Sequence, residues 1–154
     1  MAASVATLWD TIALEAERES PLWAAALRPA NEREQVAVFS PLTDGHFALG
    51  IESIYEGYLL HYGRPRLFSP ADRDAAVLLG DYLYAHGLVR ITALGDVDAV
   101  ERLAELLSLC AHLRAEGEGG DGEAWAATVG SLADGRPPAE AVERALLLHA
   151  QRVD

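Results

Sequence analysis

The feature that most constrains the fold is a repeated set of helix starts and stops, with no strand-like pattern between them. Ser20-Pro21 and Ser69-Pro70 each place an N-cap residue before a proline, which is typical of a helix start. No segment alternates apolar and polar residues over β-branched positions, as a half-buried strand does. These patterns predict an all-α bundle of six to eight helices in a single domain over residues 1–154.

The predicted helices follow one another along the chain. Residues 71–94 are apolar nearly all round between Ala75 and Ile91, so this helix is predicted to be central and the most buried. Asn31 begins a segment with capping-box spacing that predicts a further turn or two. The run EGEGGDG at 116–122 is predicted to be a flexible acidic linker. The other predicted helical segments are one with Val5, Leu8, Trp9, Ile12 and Ala16 on one face, a short piece at 22–27, and helices at 46–62, after Asp96, at 123–133 and at 138–152.

Charge excludes several classes of function. The formal net charge is −12, so no basic stripe exists to neutralise the phosphates of nucleic acid or to meet an anionic membrane surface. All twelve basic residues are arginine, which removes any chemistry that depends on a lysine nucleophile or a P-loop lysine. We therefore expect a protein partner or an apolar ligand, and no nucleic acid.

Cysteine content and apolar run lengths indicate a cytoplasmic protein. The single cysteine, Cys110, cannot form an intramolecular disulfide, and its apolar helical setting predicts a buried side chain. The amino terminus lacks the basic and apolar regions of a signal peptide. The sequence contains no run of eighteen apolar residues, so no transmembrane segment is predicted.

Two short motifs resemble those of a known enzyme family. The segment LLGDYLYA at 78–85 contains a Gly-Asp-Tyr-Leu run beginning at Gly80, and HYGRP at 61–65 contains a Gly-x-Pro turn beginning at Gly63. Together with their separation of seventeen residues, these motifs resemble the trans-polyprenyl (isoprenyl) diphosphate synthases over about residues 47–118. The resemblance implies the amino-terminal half of the isoprenoid synthase fold and a role in isoprenoid biosynthesis. The motif residues expected to shape this fold are Gly63, Pro65, Gly80, Asp81 and Tyr82.

The same resemblance implies a degenerate active site. The family's first Asp-Asp-x-x-Asp motif, which binds Mg²⁺, would fall on Glu52 to Glu56, where Ser53 replaces the middle acid. The family's arginine pair, which binds a diphosphate, would fall on His61 and Tyr62. No Asp-Asp pair occurs anywhere in the chain. We therefore expect no catalytic residues, no cofactor beyond one loosely held Mg²⁺, and no prenyl transfer by this chain alone. Substrate-binding candidates are Glu52, Glu56, His61, Arg64 and Arg66, of which Glu52 and Glu56 are also the candidate metal ligands.

Simpler structural explanations exist for the same residues. Glu52 and Glu56, four apart on a helix, are typical of a solvated face. His61 in a last helical turn favours the helix dipole. Arg64 and Arg66 could bind an anion, although loop arginines usually pair with nearby acids. Asp81, on an apolar helix, is predicted to be buried and hydrogen-bonded, and the tyrosines are predicted to be core aromatics: Tyr55, Tyr58, Tyr62, Tyr82 and Tyr84.

Three functions follow as hypotheses. The first is a non-catalytic small subunit that pairs with a catalytic polyprenyl synthase subunit and helps to shape product chain length. It would dock as a heterodimer, or as a homodimer, through apolar surface on helices 47–62 and 71–94. The second is a stand-alone helical protein that binds an isoprenoid or another apolar ligand. The third is a divergent enzyme that uses Glu52, Glu56 and His61 around one metal.

Overall fold

A computed structural model describes residues 7–153, which form seven α-helices and two isolated β-bridges, with no β-strand. The all-α prediction and the predicted number of helices are confirmed. Single 3₁₀ turns occupy Ala30–Glu32, Ser40–Leu42 and Gly45–Phe47 in the connection before the third helix. The helices are α1 (Leu8–Glu19), α2 (Pro21–Ala26), α3 (Ala48–Tyr62), α4 (Arg73–Ala93), α5 (Val97–Ala115), α6 (Asp121–Ser131) and α7 (Ala139–Ala150).

Polar side chains cap four of the seven helices described, and two of these caps lie where the sequence predicts a helix start. Ser20 accepts a hydrogen bond from the backbone N–H of Leu22 and caps α2, as predicted. Asp96 caps α5, also as predicted. The predicted start of α4 at Ser69 is wrong, because Asp72 is the cap and accepts from the N–H of Ala75 at 2.8 Å. A carboxylate at this position can satisfy a backbone donor that the helix itself leaves without a partner.

Two other local predictions need correction. The segment from Asn31 forms only the end of one 3₁₀ turn without a side-chain cap, and the N–H of Glu34 then bonds to the carbonyl oxygen of Arg66 at 3.1 Å. The acidic linker is shorter than predicted, because Asp121 and Gly122 already belong to α6.

Helix α3 is the centre of the molecule. Eleven of its fifteen residues are buried, against six of twenty-one in α4. One apolar core joins α3 to α5, α6 and α7, and a second core joins α1, α2 and α4 around Leu67 and Phe68. The prediction that residues 71–94 form the most buried helix is therefore wrong. An apolar surface of α4 is left uncovered by residues 7–153.

The close packing of α3 on α4 depends on glycines. A Cβ added at Gly57 would lie 2.8 Å from the carbonyl oxygen of Gly80, and one added at Gly80 would lie 2.7 Å from Nε2 of His61. Gly50 and Gly87 meet in the same way, and each lies seven residues from the first pair along its own helix. A side chain at Gly57 would therefore push the two helices apart, whereas one at Gly80 would displace the ring of His61 and crowd the carbonyl oxygen of Gly57 at 3.1 Å.

Two further expectations can be compared with the structure. Cys110 is buried, as predicted, and burial raises the pKa of its thiol to about 11. No helix within residues 7–153 is both long enough and apolar enough to cross a membrane.

Candidate functional site

The first candidate site is the arginine cluster, formed by Glu52, Glu56 and Arg66. Helix α3 places the two glutamates one turn apart, and the loop after α3 brings Arg66 between them. Nη1 of Arg66 lies 2.5 Å from Oε2 of Glu52, and its Nε lies 3.0 Å from Oε1 of Glu56. All three side chains are completely buried, so this is a closed ion-pair triad.

Backbone donors take up the remaining carboxylate oxygens. The N–H of Val38 donates to Oε1 of Glu52 at 3.3 Å. Oε2 of Glu56 accepts from the N–H groups of Arg66 and Leu67 at 2.9 and 2.7 Å. Two carboxylates and one guanidinium carry a formal charge of −1, and these three N–H groups share it. Each carboxylate oxygen therefore already has a hydrogen-bond donor, as a buried charge requires.

The guanidinium of Arg66 is equally enclosed. Its Nη1 also donates to the carbonyl oxygen of Val36 at 2.7 Å. The rings of Trp9 and Tyr55 lie 4.7 and 5.1 Å from its central carbon, within the range of cation–π attraction. Burial alone would lower the pKa of Arg66, but the carboxylates of Glu52 and Glu56 outweigh it and raise that pKa.

These contacts decide between the sequence-based readings of the cluster. The prediction that Glu52 and Glu56 form a solvated face is wrong, and the expectation that Arg66 pairs with nearby acids is confirmed. The carboxylates do not fit a Mg²⁺ site, because their oxygens are occupied by donors and no water can reach them. Within the described part of the chain, no three His, Cys, Asp or Glu side chains converge as metal ligands.

The other predicted motif residues lie apart from this triad. His61 Nε2 is 3.1 Å from Oδ1 of Asp81, although not aligned as a hydrogen bond, and its ring stacks on Tyr84 at 5.0 Å. The side chain of Asp81 is 64% exposed, so the prediction that it is buried is wrong. Asp81 occupies the outer side of α4, away from the buried face that contains Gly80. Tyr82, also partly exposed, packs against Trp23 with ring centroids 5.9 Å apart.

The turn after α3 contacts the residues that follow α7. The N–H of Arg64 donates to the carbonyl oxygen of Arg152 at 2.9 Å, and the guanidinium of Arg64 donates to the carbonyl oxygen of Gln151. Gly63 forms a β-bridge with Val153, and this approach leaves no room for a side chain at Gly63. The carbonyl oxygen of Pro65 accepts a hydrogen bond from Arg28 at 3.3 Å.

A second polar cluster, not predicted from the sequence, lies on another face of α3. This histidine cluster is centred on Oδ2 of Asp121, which accepts hydrogen bonds from Tyr58 at 2.6 Å and from Arg114 at 2.8 Å. Nε2 of His149 lies 3.1 Å from the same oxygen, and Nδ1 of His149 lies 2.7 Å from the hydroxyl of Tyr55. The cluster joins α3, α5, α6 and α7, so it ties the carboxy-terminal helices to the central one.

One arrangement of protons satisfies every bond in the histidine cluster. In the tautomer with its proton on Nε2, His149 donates to Asp121 and accepts from Tyr55. Burial raises the pKa of Asp121, but the hydrogen bonds from His149, Tyr58 and Arg114 outweigh it and hold that pKa below its usual range. Burial raises the pKa values of Tyr55 and Tyr58, so both stay protonated. Asp121 is therefore the fixed anion of the cluster.

The histidine cluster is less enclosed than the arginine cluster. Asp121 and Arg114 keep some exposure and line a cavity of about 320 Å³ together with Gly117, Gly119 and Val153. Beneath it lies an aromatic core, in which Trp125 contacts the rings of Phe39, Tyr55 and Tyr58. Tyr55 also packs on Arg66, so the two clusters meet through one aromatic ring.

Sequence reasoning missed the histidine cluster because its partners are far apart in the chain. His149 lies 94 residues from Tyr55, and Asp121 lies 63 residues from Tyr58. One signal was present: His149 continues the apolar i, i+3, i+4, i+7 spacing of Val142, Ala145 and Leu146 on α7, which predicts a buried imidazole. A buried imidazole needs polar partners, but their identity cannot be read from spacing.

Neither cluster has the chemistry of a diphosphate-transfer site. Transfer of a diphosphate needs metal ions or several cations to neutralise the leaving group. The arginine cluster is internally paired, and the histidine cluster is held by an anion.

No family model, no curated protein and no solved structure matches this chain.

Proposed function

We propose that the chain is a non-catalytic helical subunit of a heteromeric polyprenyl diphosphate synthase, in which it helps to set product chain length. The observation that supports this proposal is the arginine cluster. Glu52 and Glu56, which the family resemblance aligns with metal-binding acids, are used here to hold Arg66 inside the protein. Gly63 and Gly80, which begin the two motifs that resemble the family, allow close backbone packing. Under this proposal the chain keeps residues that shape the fold and lacks the residues that bind metal.

The alternative of a single-metal enzyme has no support in the geometry. That hypothesis needs Glu52, Glu56 and His61 to face one ion. The glutamates instead face Arg66, and His61 faces Asp81 and Tyr84 on α4. A Mg²⁺ ion would have to break the buried ion pairs before binding, which would cost several kcal/mol.

The proposal is tested with the polyprenyl diphosphate synthase of the same organism. The synthase is assayed with an allylic diphosphate and isopentenyl diphosphate, with and without an equimolar amount of this chain. We expect the two proteins to co-elute and the distribution of product lengths to shift, with no turnover by this chain alone. Separate elution with identical products would exclude the proposal.

A second candidate function, stand-alone binding of an apolar ligand, is favoured by a groove between α6 and α7. This groove has a volume of about 530 Å³ and a mostly apolar lining. Small side chains on α6 leave it open, and Val142 and Leu146 of α7 form the other wall. The small apolar residues among those that line it from α6 and the adjoining loop are Ala126, Ala127, Gly130 and Ala133, and the charged residues Glu123 and Arg136 also line it.

Filling the groove tests this second function. Ala127 is exposed, so Ala127→Trp should fill the groove without disturbing the core. Farnesol binding, measured by native mass spectrometry, should be lost in this variant and kept in Ala111→Trp, an exposed position on α5. Equal farnesol binding by both variants, or none by the unmodified chain, would rule out the groove as an isoprenoid site.

A further inference from the structure

The outer face of α4 is apolar although nothing in the described chain covers it. Its buried side holds six residues, among them Leu79, Leu83 and Ile91. On the opposite side Leu78 and Val89 are 57% and 63% exposed. A helix that is apolar all round is normally enclosed on all sides. This face therefore has the composition of an interface and the exposure of a surface.

The apolar residues of this face, of which Leu78, Ala85 and Val89 are exposed and Ala75 and Tyr82 half-buried, follow a heptad spacing. Ala75, Leu78, Tyr82, Ala85 and Val89 alternate in steps of three and four, the spacing of a helix-to-helix seam. At 3.6 residues per turn they fall within a sector of about 80° and extend over about 21 Å. One partner helix lying along α4 would contact all five.

A pit beside this seam offers an anchor point. It has a volume of about 300 Å³ and lies between α2 and the start of α4. Leu22 and Trp23 form one wall, and Ala75 and Leu78 form the other. Interfaces draw much of their binding energy from one or two large side chains placed in such pits.

Charge decides which partner fits. Asp74 and Asp81 lie on one edge of the seam and are exposed. The other edge carries His86, which is already paired with Glu15. In an antiparallel pair of two α4 helices the same edges meet, so Asp81 would approach its own copy, and each chain carries a net charge of −12. A second copy is therefore disfavoured, whereas arginine or lysine beside the partner's seam would complement this edge.

We propose that the seam on α4 docks a helix of a different protein, one with an apolar heptad stripe flanked by basic residues. This inference deepens the proposed function and rests on it for the identity of the partner, which would be the catalytic synthase subunit. It also corrects the predicted docking surface, since of the two helices predicted to form it α3 is buried and α4 has the exposed apolar residues.

Designed peptides test the seam independently of any synthase. The probe is a fluorescent helical peptide of about three heptads with leucine along its seam and arginine on both flanks. A second peptide has glutamate in place of every arginine. We expect the basic peptide to bind at least about tenfold more tightly than the acidic one. Binding of the basic peptide should be weaker at high salt than at low salt.

Variants of this chain locate the binding site. Leu78→Glu and Val89→Glu should each lower the affinity for the basic peptide by about tenfold or more. Leu147→Glu on α7, at 62% exposure, is the matched control and should bind like the unmodified chain. Equal binding of both peptides, or equal loss in the control variant, would overturn the inference. So would a dimer in sedimentation at micromolar concentration that Leu78→Glu dissociates, because the occupant would then be a second copy.

The two proposals fail in different ways. If the synthase neither co-elutes nor changes its products while the basic peptide still binds at Leu78 and Val89, the proposed function is wrong and the seam stands. If the synthase pairs with this chain equally well after Leu78→Glu, the function stands and the seam on α4 is wrong.

Discussion

The arginine cluster and the histidine cluster share helix α3 but differ in how they relate to solvent and to sequence. The arginine cluster joins residues within fifteen positions of one another and is fully closed. The histidine cluster joins α3 to α5, α6 and α7 through residues up to 94 positions apart, and it retains exposure at Asp121. The difference shows that two acids at the spacing of metal ligands can have a purely structural role. The less obvious cluster is the one that borders a cavity.

The largest loss of stability should appear when Arg66, the cation of the arginine cluster, is replaced. Arg66→Met leaves Glu52 and Glu56 buried without a counter-charge, so the free energy of unfolding should fall by about 3–5 kcal/mol. Urea unfolding followed by circular dichroism measures this. Arg64→Met, an exposed position two residues away, should lose no more than about 1 kcal/mol. Similar losses in both variants would mean that the triad is not a closed ion-pair site.

A rescue variant separates charge from packing. In Glu52→Gln/Glu56→Gln/Arg66→Met the uncompensated charges are gone, so most of the loss caused by Arg66→Met should be recovered. Failure to recover would show that the shape of Arg66, packed between Trp9 and Tyr55, matters more than its charge.

The histidine cluster should respond less strongly. Asp121→Asn keeps the shape of the side chain but removes the anion that accepts from Tyr58, Arg114 and His149, so we expect a loss of about 1–3 kcal/mol in urea unfolding. Asp98→Asn, an exposed acid on α5, should change stability by less than about 0.5 kcal/mol. A loss at Asp121 as large as that at Arg66 would remove the distinction between the two clusters.

The carboxylate of Asp121 should also make the stability of the folded protein depend on pH. The pKa of Asp121 is lowered in the folded protein, so the unfolded chain binds its proton first as pH falls. The stability that Asp121 contributes is complete above the ordinary aspartate pKa of about 3.9 and is lost below it. Between about pH 6 and pH 3 the unmodified protein should lose about 1 kcal/mol more than Asp121→Asn. Parallel curves for the two proteins would contradict the lowered pKa.

The smallest effect should come from the link between His149 and Tyr55. Tyr55→Phe removes one buried hydrogen bond and keeps the ring, so the expected loss is about 0.5–1.5 kcal/mol. Tyr82→Phe is the control, because the hydroxyl of Tyr82 has no hydrogen-bond partner, and it should be neutral. A loss at Tyr82 equal to that at Tyr55 would argue against the bond to His149.

Helix starts and stops could be predicted because they depend on residues next to each other in the chain. Ser20 and Asp96 cap helices by local hydrogen bonds, and Gly95 adopts a positive φ of 81° at the end of α4. The burial of α3 and α4 could not be ranked in this way. Both helices are apolar, and the choice depends on which one the remaining helices cover.

The roles of the polar residues were harder to predict for a related reason. The acids at 52 and 56 have the same spacing whether they face water, a metal ion or a cation. Only the path of the loop after α3, which carries Arg66 back onto the helix, decides among these. The resemblance to polyprenyl synthases stays a prediction, whereas the role of Glu52 and Glu56 in the buried triad has a direct physical test.

That test is a calorimetric titration of the folded, unmodified protein with Mg²⁺ at neutral pH. Because Arg66 and three backbone N–H groups already occupy the carboxylates of Glu52 and Glu56, we predict only heats of dilution up to about millimolar Mg²⁺. Saturable binding at micromolar Mg²⁺ that disappears in Glu52→Gln would contradict the account, since the acids would then be metal ligands rather than partners of Arg66.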